Sequence, residues 1–326
     1  MGDLINFINK ENEKTYFIKE QITFEIAESP IQTEDLAKLL IKVEEDIIKK
    51  QYHFMDYGKF RFLYHDLFGI SSSNIRKYMK NPYSYYFDKT NWTLRKETKA
   101  KNFGKLIHRI LLEHTPILGD DGINNMFSDV SDPKEKKRKI NELRLQKAQE
   151  GHIILPKNEF DMLKHWTKSF ENEFIFKMLK GGSFTVKEVP IFVKCPHTCL
   201  LLKFCPDILK LDSSPFIADL KTNGREFNWR RVVETYGYDY QAAYYIYCLS
   251  IVLDMGFEKA VEKVPFYFIC MDKFPPYTVS VKMIGKERLV DCINDIIGNL
   301  HNMKNSFIKA GKYWGSSLNK EIEVAE

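Results

Sequence analysis

Long apolar runs are missing from this 326-residue chain, and none approaches the ~20 residues that a membrane span needs. The opening MGDLINFINKENEK has no hydrophobic stretch of the kind a secretory signal requires, and Asn6 stands where a myristoylation pattern needs Ser or Thr. Cysteine is scarce, with six residues too few for a disulfide framework. Charge is nearly balanced, 49 Lys and Arg against 44 Asp and Glu, a net +5. That excess permits a nucleic-acid partner without arguing for one. Internal repeats and Gly/Ser-rich or Pro-rich linkers are missing too. The expectation is a soluble, reduced, cytoplasmic protein. What the chain has in quantity is apolar and aromatic surface: 44% hydrophobic residues, with 24 Phe and 17 Tyr. This is ample for a packed core and excludes global disorder. The length suits one large domain or two small ones.

In residues 1–65, Leu36, Leu39, Leu40, Val43, Ile47 and Ile48 fall near helical spacing behind a Thr33 N-cap. This predicts an amphipathic helix in an N-terminal extension. Over 70–88, Ser71 to Ser73 offer caps for a helix that should stop near Asn81-Pro82. A second helix is expected over 100–114. A highly charged one is expected over 132–150, either a solvated surface helix or a basic strip facing a polyanion. From residue 184 the period changes. FTVKEVPIFV, LLLKFCPDILKLD and PFIADLKT, rich in β-branched and aromatic residues, read as three strands. A helix over 229–254, strands FYFICMDK and YTVSVKMI around Pro275-Pro276, and a helix over 286–309 complete a mixed α/β pattern, with 316–326 as a tail.

The segment with chemical content runs from Asp207 to Lys221. A hairpin pivoting near residue 213 sets Asp207 opposite Asp219, and directly opposed positions share a face with Cβ atoms about 4.5–5.5 Å apart. Lys221 is two residues beyond Asp219 and shares that face. Two carboxylates and an ammonium would therefore converge. Paired carboxylates are costly without a cation, and hard oxygen ligands suit Mg²⁺ or Mn²⁺. Such an ion can activate water and stabilise charge developing on a phosphate, with the lysine orienting or deprotonating the water. Taken alone the spacing is weak, since surface strands often carry structural Asp–Lys pairs. The apolar neighbours Phe216, Ile217, Ala218 and Leu220 make a charged pair on this strand in need of a reason.

At this point the chain resembles the PD-(D/E)xK nuclease superfamily, and within it the RecE-like exodeoxyribonuclease VIII group. FGISSSNIRKYMKNPYSYYF is similar to the group's opening helix and FGKLIHRILLE to its F-G-x-x-x-H helix. CPDILKL and IADLKT resemble the G-x-x-D and D-x-K strands. YDYQAAYYIYCL resembles the Q-x-x-x-Y helix, and FYFICMDKFPPYTVSVKMI the strand pair that follows. The similarity spans roughly residues 68–315, with the nuclease domain drawn at 66–315. It implies a restriction-endonuclease-like core, a mixed central sheet flanked by helices. It also implies that Asp207 and Asp219 bind Mg²⁺ (Mn²⁺ substituting), with the Leu220 carbonyl as a further ligand. Lys221 would position the attacking water, and His108 would be a ligand or contact the scissile phosphate. Gln241 and Tyr245 would hold the DNA end or orient the lysine, and Glu188 would be the acid of the preceding strand. One position departs from the family, Phe204 standing where Gly is usual. Each residue also has an ordinary reading: His108 as a core histidine, Tyr245 as packing, Gln241 as helix surface, Glu188 as a lysine's partner.

The spacing of Cys195, Cys199 and Cys205 around His197 fits neither zinc nor ferredoxin patterns, and buried thiols are the simpler reading of these and of Cys248, Cys270 and Cys292. The expected activity is a metal-dependent exodeoxyribonuclease of bacterial or phage origin, acting 5′→3′ on linear duplex ends to leave a single-stranded tail for recombination. A homo-oligomeric ring and a single-strand annealing protein as partner are implied by resemblance only. Lys134, Lys136, Lys137, Arg138, Arg230 and Arg231 are candidates for phosphate contact. The alternatives are a structure- or site-specific endonuclease on the same core, or an inactive nuclease fold serving assembly.

Overall fold

The structure, a computed structural model, describes residues 46, 49, 52–54, 69–85, 99–169, 185–212, 214–223 and 228–314. The amphipathic helix expected over 33–48 lies outside these except for residue 46, which is helical. Residues 52–54, expected within a helical extension, are instead a strand, β1 (Tyr52–Phe54).

Helix α1 (Ser72–Lys80) begins and ends where the local chemistry dictates. Ser71 accepts from the Asn74 N–H while the Asn74 side chain accepts from the Ser71 N–H, a reciprocal cap, and Asn81 ends the helix before Pro82. Helix α2 (Lys99–Leu111) follows. Then come β2 (Ile117–Gly119), α3 (Asp120–Asn125), the charged α4 (Pro133–Gln149), β3 (Ile153–Leu155) and α5 (Lys157–Ser169). Helix α4 is capped by Asp132 with Pro133 in its first turn, and Ile140 is its one buried residue. The parallel β2–β3 pair and α5 carry no strong period in the sequence and were not expected.

The three strands expected after residue 184 are five. Two of the expected strands break in the middle, giving β4 (Thr185–Lys187) and β5 (Ile191–Lys194), then β6 (Leu201–Phe204) and β7 (Ile208–Lys210). Pro190 and Pro206 lack the N–H a ladder needs, and Glu188 adopts a left-handed φ of 47°. The chain therefore turns a corner at both places. Pairing nevertheless continues in one register: Thr185 opposes Lys210 and Lys187 opposes Ile208 before the corner, and Ile191 opposes Phe204 after it. Carried across the bend, that register sets Glu188 opposite Asp207, and the Glu188 N–H donates to the Asp207 carbonyl at 3.1 Å.

Strand β8 (Phe216–Asn223) pairs antiparallel with β7, Ile208 opposing Ala218 and Lys210 opposing Phe216, the register expected of a pivot at residue 213. The helix expected over 229–254 is two: α6 (Trp229–Tyr236) and α7 (Tyr238–Val252), broken at Gly237, whose φ is 62°. A side chain there would be strained and would also collide with the Arg76 guanidinium. Helix α8 (Phe257–Lys263) leads to β9 (Phe266–Asp272), which lies parallel to β8. Strand β10 (Val279–Lys282) and the long α9 (Lys286–Trp314) close the fold.

The main sheet has five strands in the order β10-β9-β8-β7-β4, and the smaller sheet runs β1-β5-β6. Alternation along the main sheet feeds two cores. Leu209, Ile217, Phe266, Phe268 and Cys270 pack with α1, α7 and α9. Ile208, Ala218, Leu220, Ile269 and Met271 pack with α2 and α5 around Ile107 and the wholly buried Trp166. The result is a mixed central sheet between helical layers, a restriction-endonuclease-like core. Among the described residues no helix is long and apolar enough to cross a membrane.

Candidate active site

Two neighbouring registers put three acids in a row across adjacent strands. Glu188 is opposite Asp207 across the corner, and Asp207 is opposite Asp219 by extension of the β7–β8 ladder. All three are buried. Asp219 lies inside β8, and its side chain takes the same face as Ile217, toward α7. There Gln241 donates from Nε2 to Asp219 Oδ1 at 2.7 Å. Lys221 Nζ lies 2.5 Å from Asp219 Oδ2. Its ammonium also sits 4.6 Å from the centre of the Tyr238 ring. Asp207, outside the ladder at the corner, accepts the Leu220 N–H on Oδ2 at 2.6 Å.

His108 arrives from the other layer. Ile107, wholly buried among Ile208, Ala218 and Leu220, seats α2 against the sheet, and the next side chain reaches the corner. Its Nδ1 is 3.0 Å from Glu188 Oε1 and its Nε2 is 3.5 Å from Asp207 Oδ2. The imidazole thus bridges the two acids of the bent hairpin. His108 is a partner of Glu188.

Charge in this cluster is balanced but strained. Burial raises the Asp207 pKa and the nearby Asp219 carboxylate raises it further, while His108, Lys221 and the Leu220 N–H act against them; the result is about 7. Burial acts to lower the His108 pKa, and Asp207 and Glu188 outweigh it, bringing it to about 9. Lys221 is likewise pulled down by burial, yet Asp219 and Asp207 raise it above its ordinary value, so it stands as an ammonium. In this state Lys221 is the counter-ion of Asp219 and has no free lone pair with which to act as a base.

The residues fit a hard divalent cation in a specific sense. Asp219 Oδ2 is buried, and the Lys221 ammonium at 2.5 Å is the partner that answers it among the described residues. A buried carboxylate whose proton affinity is raised by its neighbour, as Asp219 raises that of Asp207, is a donor such an ion satisfies. Among the described residues no group of three or more His, Cys, Asp or Glu side chains is arranged to hold an ion by itself. An ion between Asp207 and Asp219 would therefore complete its shell with a main-chain carbonyl, water and phosphate oxygens, as Mg²⁺ does readily.

Tyr245 shares a helix face with Gln241, and the two side chains interact. Tyr245 is buried, its hydroxyl donates to the Cys205 carbonyl at 3.3 Å, and its ring packs edge-on against Phe204 and Phe266. It braces the corner that delivers Asp207. Phe204, standing where the family has Gly, points into that same aromatic packing, and the bend follows it at Pro206. Tyr238 was not anticipated as a site residue. It lies three positions before Gln241 on one helix face, and that spacing was the available signal.

The basic candidates divide into two groups. Lys134, Lys136, Lys137 and Arg138 lie on α4, which packs on α3 and β3. Arg138 forms an ion pair with Glu142 at 2.8 Å. Arg230 and Arg231 are exposed on α6, next to Tyr238 at the head of α7, with Arg230 paired to Glu234 at 3.3 Å. Five of the six cysteines are buried and all six are free thiols. Cys195 Sγ lies 3.3 Å from the Tyr247 hydroxyl.

Comparison with known proteins places the site in a family. The family described as a PDDEXK-like domain of unknown function (DUF3799) matches residues 71–316. No curated protein sequence matches the chain. Among solved structures, that of a candidate exonuclease from Eubacterium rectale aligns with a TM-score of 0.48 at 15% identity, covering 82% of this chain and 94% of its own. The structure of the protein named SSO0001 aligns with a TM-score of 0.24 at 10% identity, covering 60% of this chain and 85% of its own.

Proposed function

The chain belongs to the PDDEXK-like domain family DUF3799, and from that premise we propose that it is a divalent-metal-dependent exodeoxyribonuclease that degrades one strand of linear duplex DNA from an end. The observation that carries this reading is the meeting of Asp207, Asp219 and Lys221 at one end of the β7–β8 pair, with His108 alongside.

Asp207 and Asp219, with the Leu220 carbonyl, would hold Mg²⁺ or Mn²⁺, which neutralises phosphate charge and makes a bound water more acidic. Gln241 fixes the Asp219 carboxylate so that Oδ2 remains turned toward Lys221. Lys221, now the counter-ion of Asp219, would orient the attacking water or the phosphate when a cation shares the Asp219 charge. His108, protonated on both nitrogens below about pH 9, can donate from Nε2 to a phosphate oxygen while Glu188 holds Nδ1. Glu188 is thus a positioning residue in this reading, and Tyr245 braces the Asp207 corner.

End-dependence, 5′→3′ polarity, a ring-shaped homo-oligomer, an annealing-protein partner and a role in recombination follow the resemblance to RecE-like nucleases. A tracking enzyme needs backbone contacts rather than base readout, and the exposed Arg230 and Arg231 follow Trp229, which packs on Tyr238. The test is hydrolysis of linear and of covalently closed circular duplex with Mg²⁺, by wild type, Asp219→Ala and Lys221→Ala. Degradation of the linear form alone, lost in both variants, is expected. Cutting of the circle would make the protein an endonuclease, and equal activity in all three proteins would remove these residues from the chemistry.

A further inference from the structure

We propose that Tyr236, resting on the nuclease reading above, is a base-stacking residue that receives a nucleobase of the strand being cut. Tyr236 is 58% exposed, uncommon for a large aromatic side chain, and is held in place from two directions. Its ring stacks on Tyr238 at 5.7 Å with the planes 22° apart. Its main-chain carbonyl and that of Thr235 accept hydrogen bonds from the Arg76 guanidinium on α1. Gly237 permits this clamp, since any Cβ there would occupy the guanidinium's place.

The stack leads directly to the chemistry. Tyr238 lies against Phe268 at 5.2 Å and 21° on one side, and the Lys221 ammonium sits 4.6 Å from its centre. The Tyr236 ring is therefore within about 10 Å of Lys221 Nζ, a few nucleotides at most given roughly 3.4 Å per stacked step. An aromatic face presented rigidly to solvent, with exposed Arg230 and Arg231 on the same helix, is the combination that binds single strands: stacking for the bases and cations for the backbone. Core packing does not account for Tyr236, because Tyr238 already completes the Phe266–Phe268–Tyr238 aromatic layer beneath it.

The test uses duplex DNA with a short single-stranded end carrying 2-aminopurine at successive positions, bound to the full chain with Ca²⁺ in place of Mg²⁺. Stacking on Tyr236 predicts a fluorescence change confined to one position near the cleaved bond. Tyr236→Phe should keep it and Tyr236→Leu should lose it. The Leu variant should show a KM about tenfold higher with kcat little changed, because base–aromatic stacking acts on binding. Wild-type fluorescence that does not depend on position would overturn the proposal without any variant. So would a Leu variant equal to wild type, or one that lowers kcat alone and so acts through Tyr238 and Lys221. In those cases DNA cleavage persists in the wild type and the nuclease reading stands. A wild type that neither binds nor cleaves DNA would overturn both.

Discussion

Asp207 and Asp219 are the same chemical group one strand apart, yet they are held in opposite ways. Asp219 lies within a strand, paired with β9 and one residue past the β7 ladder, and its carboxylate is answered by a side chain two residues on and by Gln241 from the helix above. Asp207 lies at a proline-made corner, where a single main-chain N–H and a histidine from the opposite layer face it. The ladder position thus comes with its own counter-ion, whereas the corner position keeps a carboxyl whose pKa is pushed up to about 7. The difference teaches what a divalent cation would contribute: it relieves Asp207 and replaces the lysine at Asp219.

The largest effect that sharpens this contrast is on catalysis. Asp219→Ala or Lys221→Ala should lower the rate on linear duplex by about 10³-fold or more, read from initial rates at saturating Mg²⁺. The contrast breaks if Asp207→Asn, which keeps an oxygen to accept the Leu220 N–H, retains near-wild-type activity.

Stability without metal comes next. Lys221→Ala leaves the buried Asp219 charge without its counter-ion, with the Gln241 hydrogen bond still in place, and breaking such a pair costs about 3–5 kcal/mol. Urea unfolding in EDTA should show that loss. Mg²⁺ should restore more stability to the variant than to wild type, since the ion has no ammonium to displace.

The pH response is smaller. The His108 pKa rises from 6.5 to about 9 on folding. Its contribution is therefore fully present below about pH 6.5 and lost as pH rises through 9. Metal-free protein should lose on the order of 2–3 kcal/mol across that window, read from urea midpoints. His108→Gln should flatten the profile. Calorimetry should show proton release when Mg²⁺ binds in the same window, with affinity rising with pH. The smallest effect is Tyr245→Phe, which removes the hydroxyl donor to Cys205 and should cost about 1 kcal/mol with a modest fall in rate.

The straight half of this arrangement is legible from sequence because a short turn and a side-chain period of two determine which residues oppose one another. Asp207, Asp219 and Lys221 could be set together from spacing alone, and the observed β7–β8 ladder keeps that register. The bent half is not legible in the same way. Pro190 and Pro206 interrupt runs that read as continuous strands, and the pairing of Glu188 with Asp207 becomes apparent only when both sides of the corner are seen to share one register. His108 could be named from its motif, but its two acidic partners come from elements far away in sequence. Gly237 was visible as a glycine within an aromatic helix, and its role as a break depends on Arg76, some 160 residues earlier. The three-residue strands β2 and β3 are too short for periodicity to reveal.

Strand β8 has a consequence for how the protein fails. Over Phe216–Ala218 it pairs antiparallel with β7, over Ile217–Asn223 it pairs parallel with β9, and beyond Ala218 the Leu220 N–H is taken by the Asp207 carboxylate instead of a β7 carbonyl. The amides of the doubly paired stretch should be among the slowest to exchange with deuterium, and the Leu220 amide should report on the Asp207 carboxylate that holds it. Because Asp219 and Lys221 sit on the β8–β9 pair, inactivation by denaturant should coincide with the loss of that pairing.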